Sequence, residues 1–313
     1  MEKTLPSTLF RHAALPAGPK ARARRFACLV ESALIDEVTL SPKPGLVDVR
    51  GNGAHRDLDW ALMVHSAQTL RPAFEAMALA GAQIDAPLAL RERIGRLGRE
   101  GEMAMLSATG GVNTHRGAIW TLGLLVTAAA QAPHALGAAP VASRAARLAG
   151  VPDRFAPVST GHKGERACHD YGVGGAKGQA CAGFPHVLKV ALPALRRARA
   201  AGIREDHARV DALLATMATL DDTCVLARGG PDALRAVQTG AAAVRAEGGL
   251  AAPQGRRAFR RLETDMLARN VSPGGAADLL AAALFLDRLP VRAGIAPDFD
   301  PESTHQETDH GTS

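Results

Sequence analysis

An uncharged stretch near the middle of the chain, residues 117–143, places the strongest limit on how this chain can fold. Its most apolar part, residues 118–130, carries no charged side chain that would let one side of a helix face water. A membrane span needs about 20 apolar residues, and this part is shorter. The stretch therefore predicts a central helix that other helices enclose.

The rest of the chain also has helical periodicity. Apolar side chains recur every three or four residues in most segments, and aromatic residues, which strands favour, make up only 4% of the chain. We therefore expect an all-α fold with a single globular domain of about ten helices over residues 21–290. Residues 1–20 are expected to form a flexible arm and residues 291–313 a disordered tail, because both lack apolar periodicity.

Five polar segments that contain glycine separate the predicted helices. They cover residues 41–59, 108–117, 165–185, 221–230 and 269–286. Each falls at a predicted helix end, where loops that carry function commonly lie. The spacing therefore predicts that these glycine-rich loops converge on one active-site cleft.

The first segment, residues 41–59, has the most definite chemistry. Pro42 and Pro44 restrict the backbone on both sides of Lys43, so this lysine can be held in one direction. Carboxylates such as Asp48 and Asp57 are ligands that hard cations prefer. The segment therefore predicts a site for phosphate and magnesium. A surface loop in which Asp57 only caps the next helix is the alternative.

The second and third segments also favour anions. Gly110 and Gly111 lead through Asn113, Thr114 and His115 into the apolar helix, and a helix N-terminus presents free N–H groups. In the third segment four glycines surround Lys177, but their spacing does not match a phosphate-binding P-loop and no strand precedes them.

Charge and cysteine content narrow the class of partner. The net charge of +6 suits an anionic ligand, while one Tyr and two Trp leave little for stacking on nucleic-acid bases. The four cysteines are widely spaced, with no CxxC pair and no secretory signal before them. We expect a cytoplasmic protein with reduced thiols, bound neither to nucleic acid nor to a membrane.

Taken together, the five segments resemble the triphosphoribosyl-dephospho-CoA synthase family. The similar blocks are EVTLSPKPGLVDVRGNGAHRDLD, ATGGVNTHRGAI, GVGGAKGQACAGFP, DDTCVLARGG and RNVSPGGAADLL, in the family's order. They span most of the chain, from Glu37 to Leu286. Each piece alone is a weak signal, whereas the combination is specific.

The resemblance implies an all-α transferase that joins ATP to 3′-dephospho-CoA and releases adenine. The 2′-hydroxyl of dephospho-CoA displaces adenine at the anomeric carbon, and the triphosphate stays on the product. The product is the prosthetic-group precursor for malonate decarboxylase or citrate lyase, and a second transferase loads it onto an acyl carrier protein. We expect Mg²⁺ as cofactor and consider a homodimer.

Candidate residues for these roles come from all five segments and the helix before the second. The catalytic candidates are Asp48, Glu102, His115 and Asp222, and the magnesium candidates are Asp48, Asp57 and Asp222. The substrate-binding candidates are Lys43, His55, Asn113, Thr114, Lys177, Arg228, Gly229, Gly230, Gly274 and Gly275. Asp265 and Asp278 are weaker candidates, because surface or helix-terminal roles suit them equally.

This chain departs from the family pattern at three positions. Lys177 and Gln179 stand where relatives usually carry Arg and Glu, and Cys224 stands where Asn is common. An amide cannot act as a base at neutral pH, so either the family's glutamate at this position is only supportive or this chain is catalytically impaired. The alternatives are a magnesium-dependent helical hydrolase acting on a nucleotide or ADP-ribose, and a catalytically silent nucleotide-binding scaffold.

Overall fold

The computed structural model describes residues 15–290, and this part of the chain holds twelve α-helices and no β-strand. The helices are α1 Pro19–Thr39, α2 Trp60–Gln83, α3 Pro87–Ala108, α4 Arg116–Gln131, α5 Ala138–Gly150, α6 Lys163–Tyr171, α7 Gly175–Cys181, α8 Leu192–Ala200, α9 Glu205–Met217, α10 Thr223–Ala246, α11 Pro253–Ala268 and α12 Gly274–Asp287. A π-helix, His186–Ala191, runs directly into α8, and a 3₁₀ turn, Gly249–Ala251, precedes α11. The all-α prediction is confirmed.

The expected domain limits fall at the edges of this range. Residues 1–14 of the expected arm and the whole expected tail, 291–313, lie outside the described residues, so the limits stay a prediction. Helix α1 begins at Pro19, two residues before the expected start of the catalytic domain.

Helix α4 lies at the centre of the fold, as the uncharged stretch predicts. Every residue from 118 to 130 except Trp120 is buried, and α1, α2, α3, α5 and α12 pack around the helix. Each buried leucine or isoleucine contributes about 1.5–3 kcal/mol relative to leaving it in water. Helix α12 is equally apolar, with every residue from 279 to 286 buried. Among residues 15–290, no helix combines the length and hydropathy that crossing a membrane requires.

A glycine permits the close approach of α2 to α4. A Cβ atom on Gly81 would lie 2.4 Å from the backbone oxygen of Thr127, which is closer than packed atoms allow. The Thr127 hydroxyl donates to the backbone oxygen of Met77, so the two helices also share a polar contact.

Two prolines inside helices have different effects. The sequence predicts a helix over residues 58–80 that Pro72 should kink or divide, but α2 continues through Pro72. Pro72 and Gln68 both lie on the exposed face, where water can hydrogen-bond the carbonyl that loses its helical donor. In α10, by contrast, Gly230 has φ 66° and ψ −168° and Pro231 follows, so the helix bends there.

Three polar segments contain more helix than their composition indicates. The third holds α6 and α7, the fourth forms the first two turns of α10, and most of the fifth is α12. Asp59, not Asp57, caps α2, because its Oδ1 accepts from the backbone N–H of Leu62 at 2.8 Å.

An ion-pair network joins four helices on one side of the molecule. Arg209 of α9 pairs with Asp36 of α1 at 3.2 Å and with Glu205 at 2.7 Å. Arg288, which follows α12, also pairs with Asp36. Arg199 of α8 connects the same network to Asp287, at 2.7 Å.

Candidate active site

Contacts join all five polar segments in one region of the protein. Backbone and side-chain contacts link the first segment to the fourth, the second to the fifth, the third to the fourth and the fourth to the fifth. The contacting groups are Ala54 with Arg228, Gly117 with Asp278, Gly175 with Thr223, and Asp222 with Ala276. The positive charge of Lys43 also acts on His115, which brings the first and second segments together. The segments thus converge at one set of helix ends.

Lys43 forms part of the protein framework on one side of this region. Its Nζ donates to the backbone oxygen of Glu37 at 2.7 Å and to Glu37 Oε1 at 2.6 Å. Only 2% of Lys43 and 5% of Glu37 is exposed. The proline-flanked loop therefore does direct this lysine, but towards the end of α1, and its predicted contact with phosphate stays a prediction.

Asp48 organises the same loop from within. Its carboxylate accepts hydrogen bonds from Ser41 Oγ at 3.1 Å and from the backbone N–H groups of Lys43 and Arg50, at 3.0 and 2.7 Å. Burial acts to raise its pKa, but the hydrogen bonds from Arg50 and Lys43 hold the pKa of Asp48 below its usual value. Arg50 extends the arrangement to Glu263 of α11, at 2.7 Å.

His115 ends the second segment and is 3% exposed. Its Nδ1 lies 2.9 Å from Ser66 Oγ, which in turn lies 2.5 Å from Thr114 Oγ1, and its Nε2 is buried without a hydrogen-bond partner. Burial and the charge of Lys43 lower the pKa of His115 to about 4. The ring is therefore neutral at pH 7, which favours hydrogen bonding over proton donation to adenine.

Asp222 joins the N-termini of two helices. Its Oδ1 accepts from the Cys224 N–H at 2.9 Å and caps α10, while its Oδ2 accepts from the Ala276 N–H of α12 at 2.9 Å. Burial raises the pKa of Asp222 despite these hydrogen bonds. Because Asp222 lies against Gly275, this carboxylate already neutralises part of the helix end that was predicted to bind phosphate.

Asp278 and Cys224 lie where the fourth and fifth segments meet. Asp278 is half-buried and Cys224 is exposed, and the Cys224 side chain lies against Gly274. Burial and the nearby carboxylates of Glu37 and Asp222 raise the pKa of Asp278 well above its ordinary value. Desolvation also raises the pKa of the Cys224 thiol, with Asp222 and Asp278 adding to the effect, so the thiol is protonated at neutral pH.

Arg228 and His55 close the region on another side. Arg228 Nη1 donates to the backbone oxygen of Ala54 at 2.9 Å, and its Nη2 lies 3.1 Å from His55 Nδ1. Burial and the charge of Arg228 lower the pKa of His55 to about 4, so the neutral ring can accept this hydrogen bond. Arg228 itself is exposed, which leaves its remaining N–H groups open to an anionic ligand.

The remaining candidates lie at the margin. Glu102 pairs with Arg116 at 2.7 Å and lies 3.7 Å from His162. Asn113 Oδ1 accepts from the Arg116 N–H at 3.2 Å, so it supports the start of α4. Lys177 is exposed on α7, and the buried side-chain oxygen of Gln179 has no hydrogen-bond partner. Gly229 and Gly230 form the bend of α10, and Gly274 lies against Cys224.

The three magnesium candidates do not form a ligand set. Asp48 and Asp222 are buried and bound by N–H donors, and Asp57 is exposed beside His55. Within residues 15–290, no group of three or more His, Cys, Asp or Glu side chains is placed to hold a metal ion. The assignment of these three residues to magnesium stays a prediction.

Two cavities lie outside this region, on the surface of α10 and α11. They have volumes of about 580 and 420 Å³, and Arg261 and Asp265 line both of them. Both are open depressions in a solvated face, and neither includes a residue of the five converging segments. We therefore place the candidate active site at the helix ends and not in these two depressions.

Sequence reasoning did not single out Glu37 and Ser66, and it ranked Asp278 low. Glu37 precedes the first segment and Ser66 lies inside α2, away from any glycine-rich turn. A signal for Asp278 was present: it is the only charged residue between Gly274 and Leu286, in an otherwise apolar helix.

Comparison with known proteins gives a consistent result. A profile described as ATP:dephospho-CoA triphosphoribosyl transferase matches residues 23–296. The chain is 61% identical over 270 residues to a probable 2-(5″-triphosphoribosyl)-3′-dephosphocoenzyme-A synthase of Azotobacter vinelandii, covering 85% of this chain and 92% of that protein. It is 54% identical over 274 residues to the synthase of that name from Klebsiella pneumoniae, covering 88% and 98%. No solved structure gives a significant match.

Proposed function

The chain belongs to the ATP:dephospho-CoA triphosphoribosyl transferase family, and from this membership we propose that it joins ATP to 3′-dephospho-CoA and releases adenine. The observation that carries the proposal is the convergence of five polar segments at one set of helix ends. The reaction breaks a C–N glycosidic bond, so positive charge develops on the ribose and nearby negative charge is favourable. Glu37, Asp222 and Asp278 supply acidic groups there.

The triphosphate needs cationic partners at the mouth of the cleft. Arg228 and Lys177 are the exposed basic candidates in the converging segments. We assign Arg228 to phosphate binding, because its guanidinium is already positioned by Ala54 and His55 and keeps N–H groups free for a ligand. We assign a supporting role to Lys43, Asp48 and Asp222, whose hydrogen bonds hold the loops and helix ends of the site in place.

Magnesium enters this proposal as part of MgATP. The carboxylates of Asp48 and Asp222 already accept hydrogen bonds from N–H groups, and Asp57 does not join them in a set of metal ligands. These residues therefore do not fit a metal site built by the protein. Magnesium often binds phosphate oxygens and water with only one or two protein ligands. Activity is expected to disappear with EDTA and to return with added MgCl₂; unchanged activity in EDTA would contradict this part of the proposal.

The further course of the product follows from the chemistry of the family. We propose that the triphosphoribosyl product supplies the prosthetic group of malonate decarboxylase or citrate lyase, through a second transferase that acts on an acyl carrier protein. We also propose that the enzyme works in the cytoplasm and consider a homodimer. Size-exclusion chromatography with light scattering tests the homodimer.

The decisive experiment incubates the full chain with MgATP and 3′-dephospho-CoA and measures adenine by chromatography. Adenine is expected only when both substrates are present, with a matching product that retains three phosphates. Adenine release without dephospho-CoA would instead favour the hydrolase, and ATP binding with no adenine would favour the silent scaffold. Turnover by this chain would also show that a carboxylate at position 179 is not essential.

Arg228 provides a variant with a matched control on the same helix. Arg228→Gln is expected to raise KM for MgATP by about tenfold, because one charge-assisted phosphate contact contributes about 1.4 kcal/mol or more. Arg235→Gln, beyond the bend of α10 and paired only with exposed Asp232, should leave KM unchanged. Equal effects of the two substitutions would contradict the assignment.

A further inference from the structure

Asp278 is an acidic side chain at the site with no structural task. It lies one turn into α12, and no hydrogen bond or ion pair within residues 15–290 involves its carboxyl group. Polar groups that are removed from water are normally paired, and a half-buried carboxyl group without a protein partner calls for an explanation. A group that must exchange a proton with a ligand provides one.

The neighbouring backbone leaves space for this carboxyl group. A Cβ atom on Gly117, at the start of α4, would lie 2.1 Å from Asp278 Oδ2. The absence of a side chain at Gly117 therefore allows the carboxyl group to lie against the start of α4. Asp278 is half-buried, so part of its side chain is accessible to a ligand.

The other acidic groups at the site are already engaged. Glu37 pairs with Lys43, Glu102 pairs with Arg116, and Asp48 and Asp222 accept backbone hydrogen bonds. If any of these carboxylates took up a proton during catalysis, it would weaken an ion pair or a hydrogen bond that holds the site together. Asp278 can gain and lose a proton without breaking a contact within the protein.

We propose that Asp278 is the general base that accepts the proton of the attacking ribose hydroxyl. This inference rests on the proposed function. The bond from the anomeric carbon to adenine breaks with its electron pair going to adenine, while the 2′-oxygen of dephospho-CoA bonds to that carbon. The hydroxyl proton passes to Asp278. Adenine takes a proton from water, and Asp278 returns its own proton to water after product release.

The charged surroundings suit this task. The carboxylates of Glu37 on α1 and Asp222 at the start of α10 act on Asp278, and Cys224 faces it as a neutral thiol. The nearby cations Lys43 and Arg228 are each hydrogen-bonded to another group. A base works best when its pKa is near the operating pH, and the raised pKa of Asp278 moves this carboxyl in that direction.

The test compares Asp278→Asn with the wild type in the adenine-release assay. We expect kcat to fall by about 10²–10⁴-fold with KM for MgATP nearly unchanged, as is typical when a general base is removed. The rise of wild-type kcat with pH should be absent in the variant. Thermal unfolding should be unchanged or shifted upward, because no protein hydrogen bond is lost. Asp85→Asn, at an exposed position between α2 and α3 and outside the five polar segments, serves as the control with unchanged activity.

Gly117→Ala tests the same geometry without changing any ionisable group. The new methyl group would displace the Asp278 side chain, so kcat should fall while the protein stays folded. An ATP analogue with a methylated adenine, which can depart without being protonated, should not restore the activity of Asp278→Asn. Restored activity would mean that Asp278 protonates the leaving adenine, and this would overturn the proposal. Normal turnover of ATP by Asp278→Asn would also overturn it. A wild type that releases no adenine would instead refute the proposed function.

Discussion

At the scale of single residues, the buried pair of Lys43 and Glu37 is the clearest case of a charge used for structure. Both side chains are almost fully removed from water, and the lysine has two acceptors on the same residue. Removing water from two charges costs several kcal/mol per ion, and their attraction repays this only when the geometry is good. The pair therefore stabilises the fold only as long as both members are present.

Lys43→Met should reduce the free energy of unfolding by about 3–5 kcal/mol, because it leaves the Glu37 carboxylate buried without its cation. Urea denaturation at pH 7 measures the change. The double variant Lys43→Met, Glu37→Leu should regain much of the loss. A single variant as stable as wild type would show that the pair is not buried as described.

His115 makes stability depend on pH. Its pKa is about 4 in the folded protein and about 6.5 in the unfolded chain, so the unfolded state binds more protons between these values. The free energy of unfolding should therefore fall as the pH drops from 6.5 towards 4, by up to about 3 kcal/mol from this residue. His55 acts in the same direction from a more exposed position.

Urea denaturation of wild type and His115→Asn at pH 7 and pH 4.5 isolates this contribution. The variant should lose less stability on acidification than wild type. Identical pH dependence in both proteins would contradict a neutral, buried His115.

The sequence showed which loops carry polar chemistry but not where each side chain points. Two prolines indicated correctly that Lys43 is held in place. That it points to Glu37 depends on how the loop folds back on the end of α1, and no local pattern encodes that path. The contact of Asp222 with Ala276 joins residues far apart in the chain, so it could not be predicted from a local pattern either.

At the scale of helices, Asp222 acts as a connector as well as a cap. One carboxylate group serves the first turn of α10 and the first turn of α12, so the two helix ends are held together. A single N-cap contributes about 0.5–2 kcal/mol, and leaving a second buried N–H unpaired costs about 1–3 kcal/mol. The position should therefore be more sensitive than an ordinary cap.

Asp222→Ala is expected to lower the free energy of unfolding by about 2–4 kcal/mol in urea denaturation. Asp59→Ala, which removes the exposed cap of α2, provides the comparison and should cost about 1 kcal/mol. Equal losses in the two variants would mean that the contact with α12 contributes nothing.

Helix positions were predictable where apolar periodicity was strong. Apolar periodicity predicts helices over residues 139–149, 204–220 and 254–267. Helices α5, α9 and α11 lie within a few residues of these limits, since each has one continuous apolar face. Helices α6 and α7 were not predicted, because the glycines of the third segment indicate turns when only the local sequence is considered. Pro72 had the opposite effect, since it indicated a break in a helix that is continuous. Losing one helical hydrogen bond costs little where the free carbonyl faces water.

At the scale of the whole molecule, the network around Asp36 fixes the relative positions of α1, α8, α9 and the end of α12. Its members are partly buried. Arg199 and Arg209 each contact two acidic groups, and Arg288 contacts Asp36 and the Ser32 hydroxyl. A network of this kind holds its geometry at less entropic cost per contact than an isolated surface pair. The sequence does not predict this network, because scattered arginines on helices usually indicate a surface that faces water.

Asp36→Asn should lower the free energy of unfolding by about 1–3 kcal/mol, because two arginines lose their shared carboxylate. Asp232→Asn removes the exposed pair with Arg235 and should have no measurable effect. Chemical denaturation at low and at high salt measures both, and the effect at Asp36 should largely persist in salt. A loss that vanishes in salt would show that the network behaves as ordinary surface charge.

The enclosed position of α4 has a consequence for synthesis of the protein. One of the helices that cover α4 is α12, which the ribosome produces some 150 residues later. Until then the most apolar segment of the nascent chain lacks its final neighbour, and such exposed surface invites aggregation or chaperone binding. Because α12 also carries Asp278 and donates a backbone hydrogen bond to Asp222, the enzyme becomes protected and chemically competent in the same late event.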